Sequence, residues 1–252
     1  IMACEPDCSD VHLLGPGVLF NESKNSILWR WSPDLLSDLN DIPSDLNFRV
    51  ASTCGENTTS RVLKHGMEVR SEGHPSLSIF DVIEKPVIEK RSGIGVVLHF
   101  NHWDRWHFPL RELGYTVISS FWNERSRDPL EEVRDRIIQI ASCERIISTT
   151  VAGLGISNAC GVPYLYSRDA TRPITDRVDD VSYDCLPFME FFSFLKKEEP
   201  LIVDISDIAK SPMNKLEDDM FENPVPLDPL ADSIFTLPRA LERYRLNFEQ
   251  DI

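Results

Sequence analysis

From residue 93 to 168 the chain alternates two kinds of hydrophobic pattern. "GIGVVLHF" (93–100) is apolar throughout, as in a strand covered on both faces. "HFPLRELG" (107–114) predicts a helix that ends at Gly114, and "YTVISSF" (115–121) the next strand. "DPLEEVRDRIIQIASC" (128–143) is the strongest helix. Asp128 suits the N-cap, Pro129 the first helical position, and Glu131 and Glu132 the positive end of the dipole. Its apolar positions Leu130, Val133, Ile137, Ile138, and Ile140 or Ala141 fall on one face. "RIIST" (145–149), "LGISNACG" (154–161) and "VPYLYS" (162–167) then predict strand, short helix and strand. Four strands with helices between them make a doubly wound half.

The first ninety or so residues repeat this alternation less regularly. "DVHLLGPGVLF" (10–20) is a strand broken at Gly15-Pro16-Gly17, and "SILWRWSPDLLSDL" (26–39) holds a helix that starts after Ser32. "DLNFRVAST" (45–53) is a strand, "ENTTSRVLKHG" (56–66) a helix closed by Gly66, and "SEGHPSLSIF" (71–80) a turn into another element. The charged, proline-containing stretch 84–93 is a hinge. Residues 196–232, acidic and proline-rich, read as a solvated loop, and "FTLPRALERYRLNF" (235–248) as a closing amphipathic helix. The expected organisation is an α/β fold with parallel sheets: an N-terminal half over 1–88, a doubly wound half over 89–195, and an acidic loop with a C-terminal helix over 196–252.

Composition narrows the function. With 26 Lys plus Arg against 41 Asp plus Glu, the formal charge is -15. That balance disfavours sequence-independent nucleic-acid binding, which needs cations to displace phosphate counterions. No apolar run approaches the roughly 18 residues of a membrane span, and no signal peptide precedes the first element, so a cytoplasmic protein is expected. Cys4, Cys8, Cys54, Cys143, Cys160 and Cys185 form no CxxC pair, so reduced thiols are expected rather than disulfides or a zinc site. No metal-ligand spacing, Walker loop, GxGxxG, GxSxG or HExxH occurs.

Two stretches carry candidate chemistry. "LHFNHWDRWHF" (98–108) follows a buried strand and reads as a loop at the ligand-facing edge of a doubly wound sheet. It holds His99, His102 and His107 for acid–base work, Asp104 to orient a histidine, Arg105 for a phosphate or carboxylate, and Trp103 and Trp106 to stack on a sugar. "IISTTVAGLGISNACGVP" (146–163) leads from a strand into a helix. The hydroxyls of Ser148, Thr149 and Thr150, and the amides around Ala152 and Gly153, could hold an anion there. Arg61, Lys64 and Arg168 are further cations.

The second stretch resembles the signature of the polysaccharide pyruvyl transferase family, "hISSxxHGLxxAxAxGxP", with Ile147, Ser148, Gly153, Leu154, Ala159, Gly161 and Pro163 in register. "EEVRDRIIQIASC" (131–143) is similar to the family's helix before that strand, and "HFNHWDRW" (99–106) to a "PHxxxxxxW" segment of the exopolysaccharide branch. "TTSRVLKHG...GHPSL" (58–77) is similar to "LTRxxLxxxG...GDPxL", with His74 at the aspartate. The resemblance implies a GT-B-like architecture of two Rossmann-like halves. It also implies transfer of a pyruvyl group from phosphoenolpyruvate, a donor substrate rather than a cofactor, to a sugar or lipid-linked glycan acceptor of the cell surface. Such a protein is not membrane-spanning, although peripheral association is open. The signature histidine is here Ala152, and an arginine of some members is Thr150. The chemistry would then fall to His102 and His99 with Arg105 and Asp104, and donor and acceptor binding to Ser148, Thr149, Thr150, Ala152, Gly153 and Trp103. Two alternatives stand beside it: a nucleotide-sugar transferase on the same fold, and a non-catalytic glycan-binding relative.

Overall fold

The computed structural model describes residues 10–13, 19–20, 27–28, 47–50, 55–64, 73–81, 83–120, 128–170, 177–178, 181–182, 186–197, 200–212 and 215–226. Its elements are strands β1 (Asp10–Leu13), β2 (Leu19–Phe20), β3 (Ile27–Leu28) and β4 (Asn47–Val50), helix α1 (Glu56–Lys64), β5 (Ile94–Leu98), α2 (Phe100–Glu112) and β6 (Thr116–Ser119). They continue with α3 (Pro129–Ala141), β7 (Arg145–Ser148), α4 (Val151–Cys160), β8 (Tyr164–Arg168), β9 (Arg177–Val178), β10 (Val181–Ser182), α5 (Leu186–Phe194), β11 (Ile202–Asp204) and α6 (Ile205–Ile208). Among the described residues no helix is long and apolar enough to cross a membrane. The helices expected after Ser32 and over 235–248 lie outside the described residues, as do Gly66, Cys4, Cys8, Cys54 and Cys185.

The contacts divide the chain into two compact units at His74 and Pro75, ahead of the hinge expected at 84–93. The first unit holds β1 paired parallel with β4, the antiparallel pairs β2–β3 and β9–β10, and helices α1 and α5. Gly55 lets α1 start hard against α5: a Cβ built there would lie 2.2 Å from the Glu190 carbonyl oxygen.

The second unit is an α/β layer built on one sheet of five strands in the order β11-β8-β7-β5-β6, all parallel. Alternation along each strand sends side chains to both faces. Ile94, Val96 and Leu98 of β5, Val117 of β6, Ile147 of β7 and Leu165 of β8 form a core with Trp106 and Leu110 of α2 and Ile205 and Ile208 of α6. On the other face, Tyr164 of β8 donates its hydroxyl to Asn158 of α4, and a Cβ on Gly95 would meet Cys143 and Ile146. Every residue of β5 is buried, as its unbroken apolar run requires.

Three expectations change. The segment 100–106 is helix rather than loop, because α2 begins at Phe100 and carries Pro109 inside it. Helix α4 likewise starts at Val151, ahead of the expected Leu154. The acidic stretch 196–232 contributes the fifth strand: Ile202–Asp204 pairs with Tyr166–Arg168 and Val203 packs against the core, so backbone pairing on β8 outweighs the composition of the segment. Within α3, Ile137, Ile140 and Ala141 are buried as expected, whereas Leu130 and Ile138 are close to half exposed. Cys143 and Cys160 are buried free thiols, and burial pushes both up to about 11. For Cys160 the Lys85 and Arg91 charges oppose that rise without cancelling it.

In the second unit α4 packs closely on the 3-10 turn Pro75–Asp81. A Cβ on Gly155 would lie 1.8 Å from the Ser76 hydroxyl oxygen and 2.9 Å from its Cβ. Gly155→Ala is therefore expected to lower stability by about 1–3 kcal/mol through overpacking. Adding Ser76→Gly should recover part of the loss, as urea unfolding midpoints would show; an unchanged midpoint in the single variant would refute the contact.

Candidate functional site at the carboxyl edge of the sheet

Renumbered within the sheet, the strand order is 2-1-3-4-5. The chain leaves β5 toward β6 on one side and returns to β7 on the other. Two connections that diverge this way open a crevice above the carboxyl ends of the two strands, where open α/β sheets bind ligands. The two sequence stretches singled out for chemistry follow β5 and β7. They meet there: the His99 amide donates to Thr149 Oγ1 at 2.7 Å, and the Thr149 amide to the Val97 carbonyl at 2.9 Å.

The β7–α4 turn is closed on itself. Thr150 is the N-cap of α4, its Oγ1 accepting from the Gly153 amide at 3.0 Å. Ser148 Oγ donates to the Thr150 carbonyl at 2.8 Å and accepts from the Thr150 amide at 3.1 Å. Ser148, Thr149 and Thr150 are all buried: the Ser148 and Thr150 hydroxyls bond within the turn, and that of Thr149 bonds to His99 and Val97 at the end of β5, rather than standing open to an anion as the sequence had suggested. Gly153 is a packing residue: a Cβ there would lie 2.3 Å from Ser148 Oγ. What the turn offers outward is the positive end of the α4 dipole. The amides of Val151 and Ala152 carry no partner among the described residues, and the Ala152 side chain is exposed.

Helix α2 sorts the stretch 98–108 by helical periodicity. His102, Trp106 and Leu110, four residues apart, form its buried face. Asp104, two residues from His102, is exposed on the opposite side and does not orient that imidazole. His99 is the N-cap and half-buried; its Nδ1 accepts from the Asn101 amide at 3.3 Å, and its ring centroid lies 5.7 Å from that of His102. With Nδ1 held as an acceptor, the neutral ring carries its proton on Nε2. His102 is only 2% exposed, so His99 is the histidine with solvent access at this edge. Trp103 stacks on His107 with 4.9 Å between centroids and 5° between planes, which occupies one face of the indole expected to receive a sugar. Arg105 stacks on Trp106 with its guanidinium 4.6 Å from the ring centroid, and its side chain is 40% exposed.

Sequence reasoning missed Asp169. It stands just past β8 and is buried, with Oδ2 accepting from Trp106 Nε1 at 2.6 Å and lying 3.8 Å from Arg105 Nη1. The available signal was a carboxylate directly after a strand of a doubly wound sheet, in "YLYSRD". On the neighbouring strand end, Asp204 caps α6. Burial raises its carboxyl, but hydrogen bonds from Ser206 and Ala170 outweigh this and hold it below the usual range. Arg168 is exposed at the end of β8. Burial lowers His74, in the first unit, to about 4, so it is neutral. Among the described residues no group of three or more His, Cys, Asp or Glu side chains could hold a metal.

No protein-family model matches the chain, and no match is found among curated proteins or solved structures. The functional reading therefore rests on the geometry and the signature residues.

The turn's internal bonds make a direct prediction. Thr150→Ala removes the cap of α4 and the 3.2 Å hydroxyl contact with Ser148, and should cost about 1 kcal/mol, within the roughly 0.5–2 kcal/mol of a lost N-cap. Thr150→Ser should be close to neutral. Equal urea midpoints for Thr150→Ala and wild type would show that the cap contributes nothing.

Proposed function

We propose that the chain is a pyruvyl-transferase-like enzyme that transfers the enolpyruvyl carbons of phosphoenolpyruvate to a sugar of a cell-surface glycan. In this reading the parallel unit is one of the two Rossmann-like halves of a GT-B-like transferase acting in the cytoplasm. The observation that carries it is the hydrogen bond from the His99 amide to Thr149 Oγ1, which ties a solvent-accessible imidazole to the turn that resembles the family signature. That turn lacks its own histidine at Ala152, and His99 supplies one from the neighbouring strand end.

The chemistry fits the groups at hand. The donor carries a carboxylate and a phosphate, and the first-turn amides of α4 with its dipole favour anions. Arg105, stacked on Trp106 and partly exposed, adds a charge for a second anionic group. A sugar hydroxyl oxygen adds to C2 of the enol while a proton is delivered to the C3 methylene. A second hydroxyl then displaces phosphate from C2, giving the ketal and inorganic phosphate. His99 Nε2–H points to hydrogen bonding with the phosphate as it departs. A proton relay through the ring requires release of the 3.3 Å contact at Nδ1.

Phosphate release from phosphoenolpyruvate across a panel of sugars and lipid-linked glycans tests the reading. His99→Asn keeps a capping side chain but removes the imidazole, and should lower kcat by about 100-fold or more. Ala152→His should change turnover little, because the function has moved to His99. A wild type no faster than His99→Asn with every acceptor would sink the proposal. Thermal stabilisation by nucleotides but not by phosphoenolpyruvate would point instead to a nucleotide-sugar donor, and glycan binding without turnover to a binding protein.

A further inference from the structure

We propose that Asp169 is a positioning residue, which seats the first turns of α2, and with them His99, on the carboxyl edge of the sheet. Its kinetic consequence rests on the transferase reading; its structural consequence does not.

His99 hangs from the β7–α4 turn by its backbone amide, and Trp106, two turns on, anchors the buried face that it shares with His102 and Leu110. Trp106 is 8% exposed, and an indole N–H has one hydrogen to give. It gives that hydrogen to Asp169 Oδ2 at 2.6 Å, across 63 residues of sequence and from a different strand. The bond joins a helix that follows β5 to the strand β8, two places away in the sheet. Arg105 lies 3.8 Å from the same oxygen, but its partial exposure makes that ion pair the weaker hold. The carboxylate is thus placed to fix the rotation of α2 about its own axis, which apolar packing of Leu110 and Trp106 alone does not specify: hydrophobic contact is non-directional and a hydrogen bond is not. Rotation of α2 swings His99 and Arg105 relative to the amides of Val151 and Ala152.

The variants separate the two contacts. Asp169→Asn keeps a carbonyl oxygen for the Trp106 indole and loses only the charge; Asp169→Ala loses both. Trp106→Phe removes the N–H while keeping an aromatic ring in the core. In the full chain, hydrogen–deuterium exchange of peptides covering 99–106 should quicken in Asp169→Ala and Trp106→Phe, stay near wild type in Asp169→Asn, and leave α3 unchanged. Phosphate release should follow the same order, with kcat down about 100-fold in Asp169→Ala and Trp106→Phe. Asp169→Asn should keep most of the turnover. The double variant Asp169→Ala with Trp106→Phe should be no slower than Asp169→Ala alone, since both break one bond.

Unchanged exchange over 99–106 in folded Trp106→Phe would overturn the positioning role even if the enzyme is active. A wild type without phosphate release, combined with faster exchange in Trp106→Phe and Asp169→Ala, would refute the transferase reading and leave the positioning role standing. Additive losses in the double variant would show that Asp169 acts through something other than Trp106, and would overturn the proposal as stated.

Discussion

The second unit depends on the burial of β5 on both faces. A strand with no exposed side chain must be covered by a layer on each side, and its neighbours must pair with it parallel to the same core. Helix α2 covers one face, α3 and α4 the other, and the chain must therefore cross the sheet between β6 and β7. That crossing is the reversal of strand order, and the meeting of the β5 and β7 carboxyl ends at one edge, where open α/β sheets bind ligands, follows from it. The candidate site is thus a consequence of how one apolar pentapeptide is buried.

The two loops at that edge behave differently. In the β7–α4 turn the Ser148 and Thr150 hydroxyls bond within the turn and that of Thr149 bonds to the end of β5, so backbone amides and a helix dipole are what the turn presents. The start of α2 presents side chains whose direction depends on the seating of a whole helix. The two strand ends thus bring the first amides of α4 and the His99 and Arg105 side chains to one edge of the sheet. Ala152 brings only a methyl group to this edge, where the adjacent strand end carries the His99 imidazole.

How much of this was legible in the residues divides along physical lines. The strands β5 to β8 and the helix α3 with its Asp128 cap were readable, since unbroken apolar runs and capping chemistry are local properties. The position of the His99 segment at the carboxyl edge was readable from the rule that strand ends face the ligand, whereas its bond to Thr149 was not. The inward roles of Ser148, Thr149 and Thr150 were not, because a hydroxyl's partner is chosen by neighbours that sequence does not display. Helix α2 hid its first turns because an aromatic, histidine-rich stretch has weak helix preference. Packing of His102, Trp106 and Leu110 on the sheet overrides that preference.

By itself, the sequence determined the alternation of elements, the parallel class of the sheet and the two stretches that hold polar chemistry. These depend on the period and length of apolar runs and on which residues tolerate caps and turns. Only the tertiary structure decided that Ile202–Asp204 completes the sheet, that Asp104 faces away from His102, and that Asp169 grips Trp106. Each of these joins residues on separate elements, and the free energy that fixes them comes from burial and from hydrogen bonds across long loops. Local pattern carries no record of such partners, because they are chosen when the layers pack.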